Sequence, residues 1–105
     1  MLKNKNYLFV ALMNKKNLLV VRKSIDKIDL KLLNLLKART ELVKKVILLK
    51  KFKKQIVDNK RIKKVLLNIK RNSIKKNIDP KITNKIWKSM IRGYIDFEKR
   101  NFKKK

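Results

Sequence analysis

Cationic side chains are the residues in this sequence that could do chemistry. The chain of 105 residues contains 33 Lys and Arg against 7 Asp and Glu, and it has no Cys and no His. This composition excludes a Cys nucleophile, a His base, disulfides and the usual zinc sites. The acids are scattered along the chain, so a carboxylate metal cage is not expected either. Any reaction must therefore use cations, single acids and the shape of a binding site.

Arg39 is the most informative of these cations because it interrupts an apolar stripe. Heptad spacing predicts an apolar residue at this position, between Leu35 and Leu42. A cation on such a stripe needs a counter-charge or a ligand. Lys50 lies eleven residues later, about 20° away around a helix and roughly 16 Å along it, so the two side chains could enclose a small dianion. The open alternative is that Arg39 snorkels into solvent or pairs with Glu41.

Three further charged residues could contribute to a binding site, and two of them also have an ordinary structural explanation. Arg22 lies about 100° from Arg39 around the helix, so it could serve the same kind of pocket only on a partner chain. Arg61 follows Asp58 by three residues, which is typical of a surface ion pair worth a few tenths of a kcal/mol. Glu98, near the end of the chain, could be a solvated acid.

Three helices would position these residues. The first is predicted from about Asn17 to Phe52, without Pro or Gly. Asp58 is a good N-cap for a second helix that ends near Asn77, and Asp79-Pro80 begins a third that ends near Phe102. The predicted fold class is therefore all-α, with a long first helix. That helix would be roughly 50 Å long, whereas a compact monomer of this size has a radius of gyration of about 13 Å, so an intertwined homodimer is expected.

The two ends of the chain and its apolar run near the N-terminus indicate where the protein is located and whether it binds a membrane. We predict an N-terminal extension of doubtful order over residues 1–13, one domain over 14–102 and a basic tail over 103–105. The apolar run Tyr7–Met13 only weakly resembles a secretory signal, and Met13 could itself be the first residue. Since no run of 18 apolar residues occurs, we expect a cytoplasmic protein without a membrane partner.

The formal net charge of +26 permits a second interpretation. Such a charge is typical of proteins that bind nucleic acid or anionic membranes. However, the chain contains 27 Lys and only 6 Arg, and the abundance of Lys, Asn and Ile is typical of an AT-rich genome. In either case, the ligand of the binding site is expected to be an anion.

Loose motifs follow one another along the three predicted helices. They are Leu18-Leu-x-x-Arg22, Ile25-Asp-x-Ile-Asp29, Leu32-Leu-x-Leu-Leu-x-x-Arg39, Leu42-Val-x-x-Val46, Lys50, Ile56-Val-Asp58-x-x-Arg61, Asn77-Ile-Asp-Pro80 and Ile86-Trp-x-x-Met-Ile91 up to Glu98. Their order and spacing over about residues 18–98 resemble the AroQ-type chorismate mutases, the all-helical type II enzymes. The resemblance implies rearrangement of chorismate to prephenate, on the route to Phe and Tyr. This reaction needs no cofactor, only orientation and electrostatic preorganisation.

The resemblance also implies roles for individual residues. Arg39 would hold one substrate carboxylate bidentately, and Arg22 of the partner chain would hold the other. Lys50 would donate a hydrogen bond to the ether oxygen. Asp58 would help to hold the ring hydroxyl, and Arg61 would support the carboxylate end.

Three positions need separate comment. Glu98 takes the place of the family's Gln or Glu at the ether oxygen, where it can donate only when protonated, so activity should fall as pH rises. Ile62 stands where the family usually has a Glu that binds the substrate hydroxyl. Its loss could cost about 1–3 kcal/mol, or roughly ten- to hundredfold in rate. Tyr94 stands where many relatives have Ser, and its hydroxyl could contact a carboxylate or its ring could line the pocket.

Three rival functions follow from the same residues. An isochorismate pyruvate-lyase would use the same fold and the same cationic grip on its substrate. A non-catalytic basic helical protein would bind nucleic acid or anionic membrane, although nucleic acid is not the expected partner because Arg is sparse. A regulatory or degenerate mutase homologue is a third option, for which Ile62 is the best argument.

Overall fold

The computed structural model describes residues 4–103, with side chains from residue 7 onward, and it is helical over most of that range. Helix α1 is Asn4–Leu49, a short 3-10 turn is Lys53–Gln55, α2 is Asn59–Lys75 and α3 is Pro80–Asn101. No strand occurs among the described residues. The structure thus confirms the predicted all-α fold with three helices and a long first helix. Residues 1–3 and 104–105, parts of the predicted extension and tail, lie outside the described residues.

Helix α1 is longer than predicted at its N-terminal end. It begins at Asn4 rather than near Asn17, and it ends at Leu49 rather than Phe52. The early start has a local cause, because residues 7–13 contain no Pro or Gly and include the good helix formers Leu, Ala and Met. The prediction was wrong here because an apolar run without periodicity was treated as separate from the helix that follows it.

The segment after α1 is held by one glutamine side chain. Phe52 is extended, with φ −123° and ψ 141°, so it cannot continue the helix. The backbone N–H groups of Lys51 and Phe52 both donate to Gln55 Oε1, each at 2.8 Å. These bonds fold the chain back within a few residues and place Lys50 at the end of α1.

The starts of α2 and α3 were predicted correctly. The Asp58 carboxylate accepts a hydrogen bond from the backbone N–H of Arg61 at 3.0 Å. The Asp79 carboxylate accepts one from the backbone N–H of Lys81 at 2.9 Å, and Pro80 is the first residue of α3. Both aspartates therefore satisfy N–H groups that a helix start would otherwise leave unpaired.

The end of α2 uses a left-handed residue. Asn77 has φ 57°, a conformation that Asn tolerates better than most residues. The N–H of Ile78 donates to the carbonyl of Ser73 at 2.9 Å, and that of Asn77 donates to Ile74 at 3.1 Å. These two bonds form a Schellman motif, which stops the helix at Lys75 and leaves a short link to α3.

The chain divides into two compact units, residues 1–39 and residues 40–105. The first unit is the N-terminal part of α1, in which every side chain from residue 7 to residue 35 is exposed. The second unit contains the last turns of α1 together with α2 and α3. Its buried apolar residues are Ile47 and Ile56, and the hydroxyls of Ser73 and Thr83 form a buried hydrogen bond of 2.7 Å between α2 and α3.

Gly93 gives a prediction about stability. It lies in the middle of α3, and a Cβ added there would meet no atom within 4 Å. We expect Gly93→Ala to stabilise the protein by about 1 kcal/mol because Ala is the better helix former. The thermal midpoint should rise by about 4–8 °C in a calorimetric scan.

Ser89→Ala is the matched control, because Ser89 is exposed on the same helix. The change from Ser to Ala raises helix propensity by less than the change from Gly to Ala. A fall in the thermal midpoint of Gly93→Ala alone would contradict the expectation. It would mean that another molecule fills the space beside Gly93.

Candidate active site

Lys50 lies where α1 ends, and its side chain turns inward. Its backbone N–H still donates to the carbonyls of Val46 and Ile47, at 3.2 and 3.3 Å, so its position is fixed by the last turn of the helix. The side chain is 20% exposed. Its Nζ lies 3.5 Å from the carbonyl oxygen of Ile56 and 3.6 Å from Glu98 Oε1.

Glu98 supplies the negative charge at this site. Among the residues whose side chains the structure describes, it is the only charged one that is buried, with 7% exposure. It sits in the last turns of α3, far from Lys50 in sequence. Burial of a carboxylate without a partner is costly, so the ammonium group of Lys50 compensates for the desolvation of Glu98.

Lys50 retains hydrogen-bonding capacity in this arrangement. Both of its contacts are longer than the usual range of about 2.7–3.2 Å for an N–H donor. An ammonium group has three protons to donate. Lys50 can therefore donate a short hydrogen bond to an oxygen atom of a ligand.

Tyr94 lies one turn before Glu98 on α3 and is held by a residue that sequence reasoning missed. The Tyr94 hydroxyl lies 2.6 Å from Thr40 Oγ1, and either oxygen could be the donor. The Tyr94 ring also meets Phe97 edge to face, with centroids 6.4 Å apart. The only signal for Thr40 was that it directly follows Arg39, as a second polar residue beside the apolar stripe.

The predicted site residues of α2 lie at its N-terminus. Asp58 and Arg61 are both exposed, and the carboxylate of Asp58 accepts from the backbone N–H of Arg61. The two residues are therefore joined by a hydrogen bond from a backbone N–H group, whereas the sequence suggested an ion pair between their side chains. Ile62 is half-buried, as its place on the apolar side of the helix predicts.

The two arginines expected to hold the substrate carboxylates belong to the other unit of the chain. Arg22 is exposed and Arg39 is half-buried. Their joint action on one substrate stays a prediction. Within residues 40–105, the structure brings Lys50 and Glu98 together and places Tyr94 one turn away on the same helix as Glu98.

Comparison with known proteins identifies the class of enzyme that this fold and site represent. The family model of chorismate mutase type II matches residues 21–99, which is 79 of the 105 residues. The chain belongs to the chorismate mutase type II family. Its activity is that of an isomerase that rearranges chorismate to prephenate, as the sequence predicted. A search of curated proteins found no match, and neither did a search of solved structures.

Among the described residues, no helix combines the length and the apolar character needed to cross a bilayer.

The pairing of Lys50 with Glu98 predicts a stability change. Lys50→Met keeps a long side chain but leaves the Glu98 carboxylate, which is 9% exposed, without its counter-charge. We expect the free energy of unfolding to fall by about 2 kcal/mol at neutral pH. Urea unfolding at fixed protein concentration measures this loss.

Lys51→Met is the matched control, because Lys51 is the next residue and is exposed. If both variants were equally stable, the ion pair would make no contribution to stability.

Proposed function

We propose that Lys50 and Glu98 stabilise the charge that develops on the ether oxygen of chorismate during its rearrangement. In this reaction the ether C–O bond breaks while a new C–C bond forms within the same molecule, so no proton, electron or leaving group is released. The observation that supports the proposal is the mostly buried Lys50–Glu98 pair, with 3.6 Å between Nζ and Oε1. A preorganised donor in a water-poor site is worth far more than the same donor in water.

The two side chains would act together on one oxygen atom. Lys50 would donate one of its ammonium protons, for which its long contacts leave room. Glu98 would donate a second hydrogen bond in its protonated form. In its ionised form Glu98 can only accept, and its charge would then oppose the negative charge that builds up on the ether oxygen.

The role of Glu98 predicts the pH dependence of catalysis. Because only a protonated carboxyl group can donate to the ether oxygen, we expect kcat/KM to fall with rising pH when it is measured from about pH 5 to about pH 9. Glu98→Gln should flatten this profile and raise activity at the alkaline end, because the amide N–H donates at every pH. Consumption of chorismate by purified protein, measured across this pH range, provides the test.

Asp96→Asn is the control for that experiment. Asp96 is an acid on the same helix, but its side chain is 69% exposed and pairs with Arg100 on the surface. The Asp96→Asn variant should keep the wild-type dependence of kcat/KM on pH. A wild-type profile that is already flat, or a Glu98→Gln profile identical to it, would refute the role assigned to Glu98.

We further propose that the active form is a homodimer. The apolar stripe of residues 18–35 is exposed along its whole length, with Ile25 50%, Ile28 54% and Leu35 67% exposed. A contiguous apolar surface of this kind marks an interface. If two α1 helices pack through this stripe, Arg22 of one protomer can reach the substrate held by Arg39 of the other.

Mixing two inactive variants would test this arrangement. Arg39→Ala and Arg22→Ala should each lower kcat/KM at least a hundredfold, because each loses a charge-assisted contact to a substrate carboxylate. After unfolding and refolding together in equal amounts, half of the dimers combine one chain of each kind. Each such dimer contains one intact site, so about a quarter of wild-type activity should return.

The same experiment carries its own control, which is each variant refolded alone. Recovery in the mixture but not in either variant alone supports a shared site. No recovery, with dimers present by analytical ultracentrifugation, would mean that Arg22 acts on its own chain or not at all.

The other site residues have smaller proposed roles. Asp58 and Arg61, at the start of α2, would contact the ring hydroxyl and the carboxylate end of the substrate. Ile62 offers no polar atom for the hydroxyl, which favours a slower enzyme than one with Glu at that position. Tyr94, fixed by Thr40, would line the pocket. A cytoplasmic location remains a prediction.

A further inference from the structure

Helix α1 carries an exposed apolar segment outside the region that matches the family. Residues 7–13 read Tyr-Leu-Phe-Val-Ala-Leu-Met, and they precede the region that matches the family, residues 21–99. All seven are exposed, with Leu8 61%, Phe9 65% and Leu12 68% exposed. We refer to residues 7–13 as the apolar tip.

The apolar tip has apolar side chains on all sides of the helix axis, and this distribution decides what kind of surface could cover it. Seven successive residues at 100° intervals point to all sides of a helix. A partner helix covers only one stripe, as in the heptad pattern farther along α1. A second protein chain would thus leave several large side chains of the tip in water. A fluid apolar medium would bury more of them.

The positive charge on both sides of the tip indicates which apolar medium could cover it. Lys3 and Lys5 precede it, Lys15 and Lys16 follow it, and the first acid of the sequence is Asp26. Lysines at both ends of an apolar segment can keep their ammonium groups at the phosphates while their stems lie along the acyl region. The complementary surface is a bilayer that contains anionic lipid.

The length of the tip fits a surface contact. At 1.5 Å per residue the seven residues extend over about 10 Å, against about 30 Å for the hydrocarbon core of a bilayer. Interfacial helices bury their apolar side chains about 5–10 Å into the boundary between headgroups and acyl chains.

We propose that the apolar tip of α1 inserts into the surface of anionic membranes and holds the enzyme there as a peripheral protein. The expectation of no membrane partner came from the absence of a run long enough to span a bilayer. A surface contact does not need one. The proposal concerns residues outside the candidate active site, and it stands or falls separately from the catalytic roles.

The experiment compares two leucines of one helix. Leu12 and Leu30 are eighteen residues apart, which is five full turns, so they lie on the same side of α1. They are 68% and 62% exposed. Full-length wild type, Leu12→Gln and Leu30→Gln would be sedimented with vesicles of phosphatidylcholine containing about one third phosphatidylglycerol, and with phosphatidylcholine alone.

We expect the wild type to bind the anionic vesicles and Leu12→Gln to bind them about tenfold more weakly, with Leu30→Gln within about twofold of wild type. Part of the wild-type binding should survive about 0.5 M salt, because insertion of apolar side chains is not screened. Leu8→Gln is the second variant and should behave like Leu12→Gln. Chorismate consumption without vesicles should be equal in the wild type, Leu8→Gln and Leu12→Gln.

Two results would overturn the proposal. If both leucine variants bind like wild type and salt removes all binding, the vesicles attract only the net charge of +26. If Leu12→Gln changes the oligomeric state in analytical ultracentrifugation but binds vesicles like Leu30→Gln, the tip packs against a second copy of the chain.

Discussion

A carboxylate removed from water needs a cation beside it, and this requirement organises residues 40–105. Glu98 is buried near the end of α3, and the ammonium group of Lys50 lies 3.6 Å from it. For Lys50 to be there, α1 must end at Leu49 and the chain must turn back at once. Gln55 secures that turn through the backbone N–H groups of Lys51 and Phe52. The buried side chain of Ile56 closes the same turn, and its carbonyl oxygen also faces Lys50.

Catalysis of an intramolecular rearrangement makes modest demands on such a site. No proton has to leave the substrate, and no group has to attack it, so a nucleophile or base is unnecessary. What the reaction needs is a fixed positive charge or hydrogen-bond donor near the atom where negative charge builds up. A chain without His and Cys can therefore be a complete enzyme, and its excess of cations suits a substrate with two carboxylates.

Residues 7–35 show the opposite situation, an apolar surface without a core. Every described side chain from residue 7 to residue 35 is exposed, including leucines and isoleucines at heptad spacing. The hydrophobic effect disfavours such a surface in water by roughly 25 cal/mol per Å². Residues 7–35 thus leave apolar surface in water in the single chain, which supports the proposed packing of this helix against a second surface.

Local signals predicted the starts of α2 and α3 correctly, whereas contacts between distant residues could not be predicted. The caps by Asp58 and Asp79 depend on residues two or three positions away, so the sequence alone revealed them. The start of α1 was misplaced because the run from Tyr7 to Met13 is apolar on all sides and has no helical period to detect.

The long-range partners had no such signal. Lys50 and Glu98 were each assigned to the ether oxygen through the family resemblance, but their direct pairing joins positions 48 residues apart. The bond between Thr40 and Tyr94 joins positions 54 apart, and only the packed helices bring these side chains together.

The hydroxyl pair of Ser73 and Thr83 has a consequence for the precision of the active site. Each hydroxyl is buried and satisfied by the other, while Ser73 also donates to the carbonyl of Ile69. A slip of α3 along α2 by one turn would break the hydrogen bond that these two hydroxyls share, at a net cost of about 0.5–1.5 kcal/mol. The same slip would carry Glu98 about 5.4 Å away from Lys50. These two hydroxyls therefore fix the position of α3 along α2, and with it the position of the Glu98 carboxylate about 22 Å farther along α3.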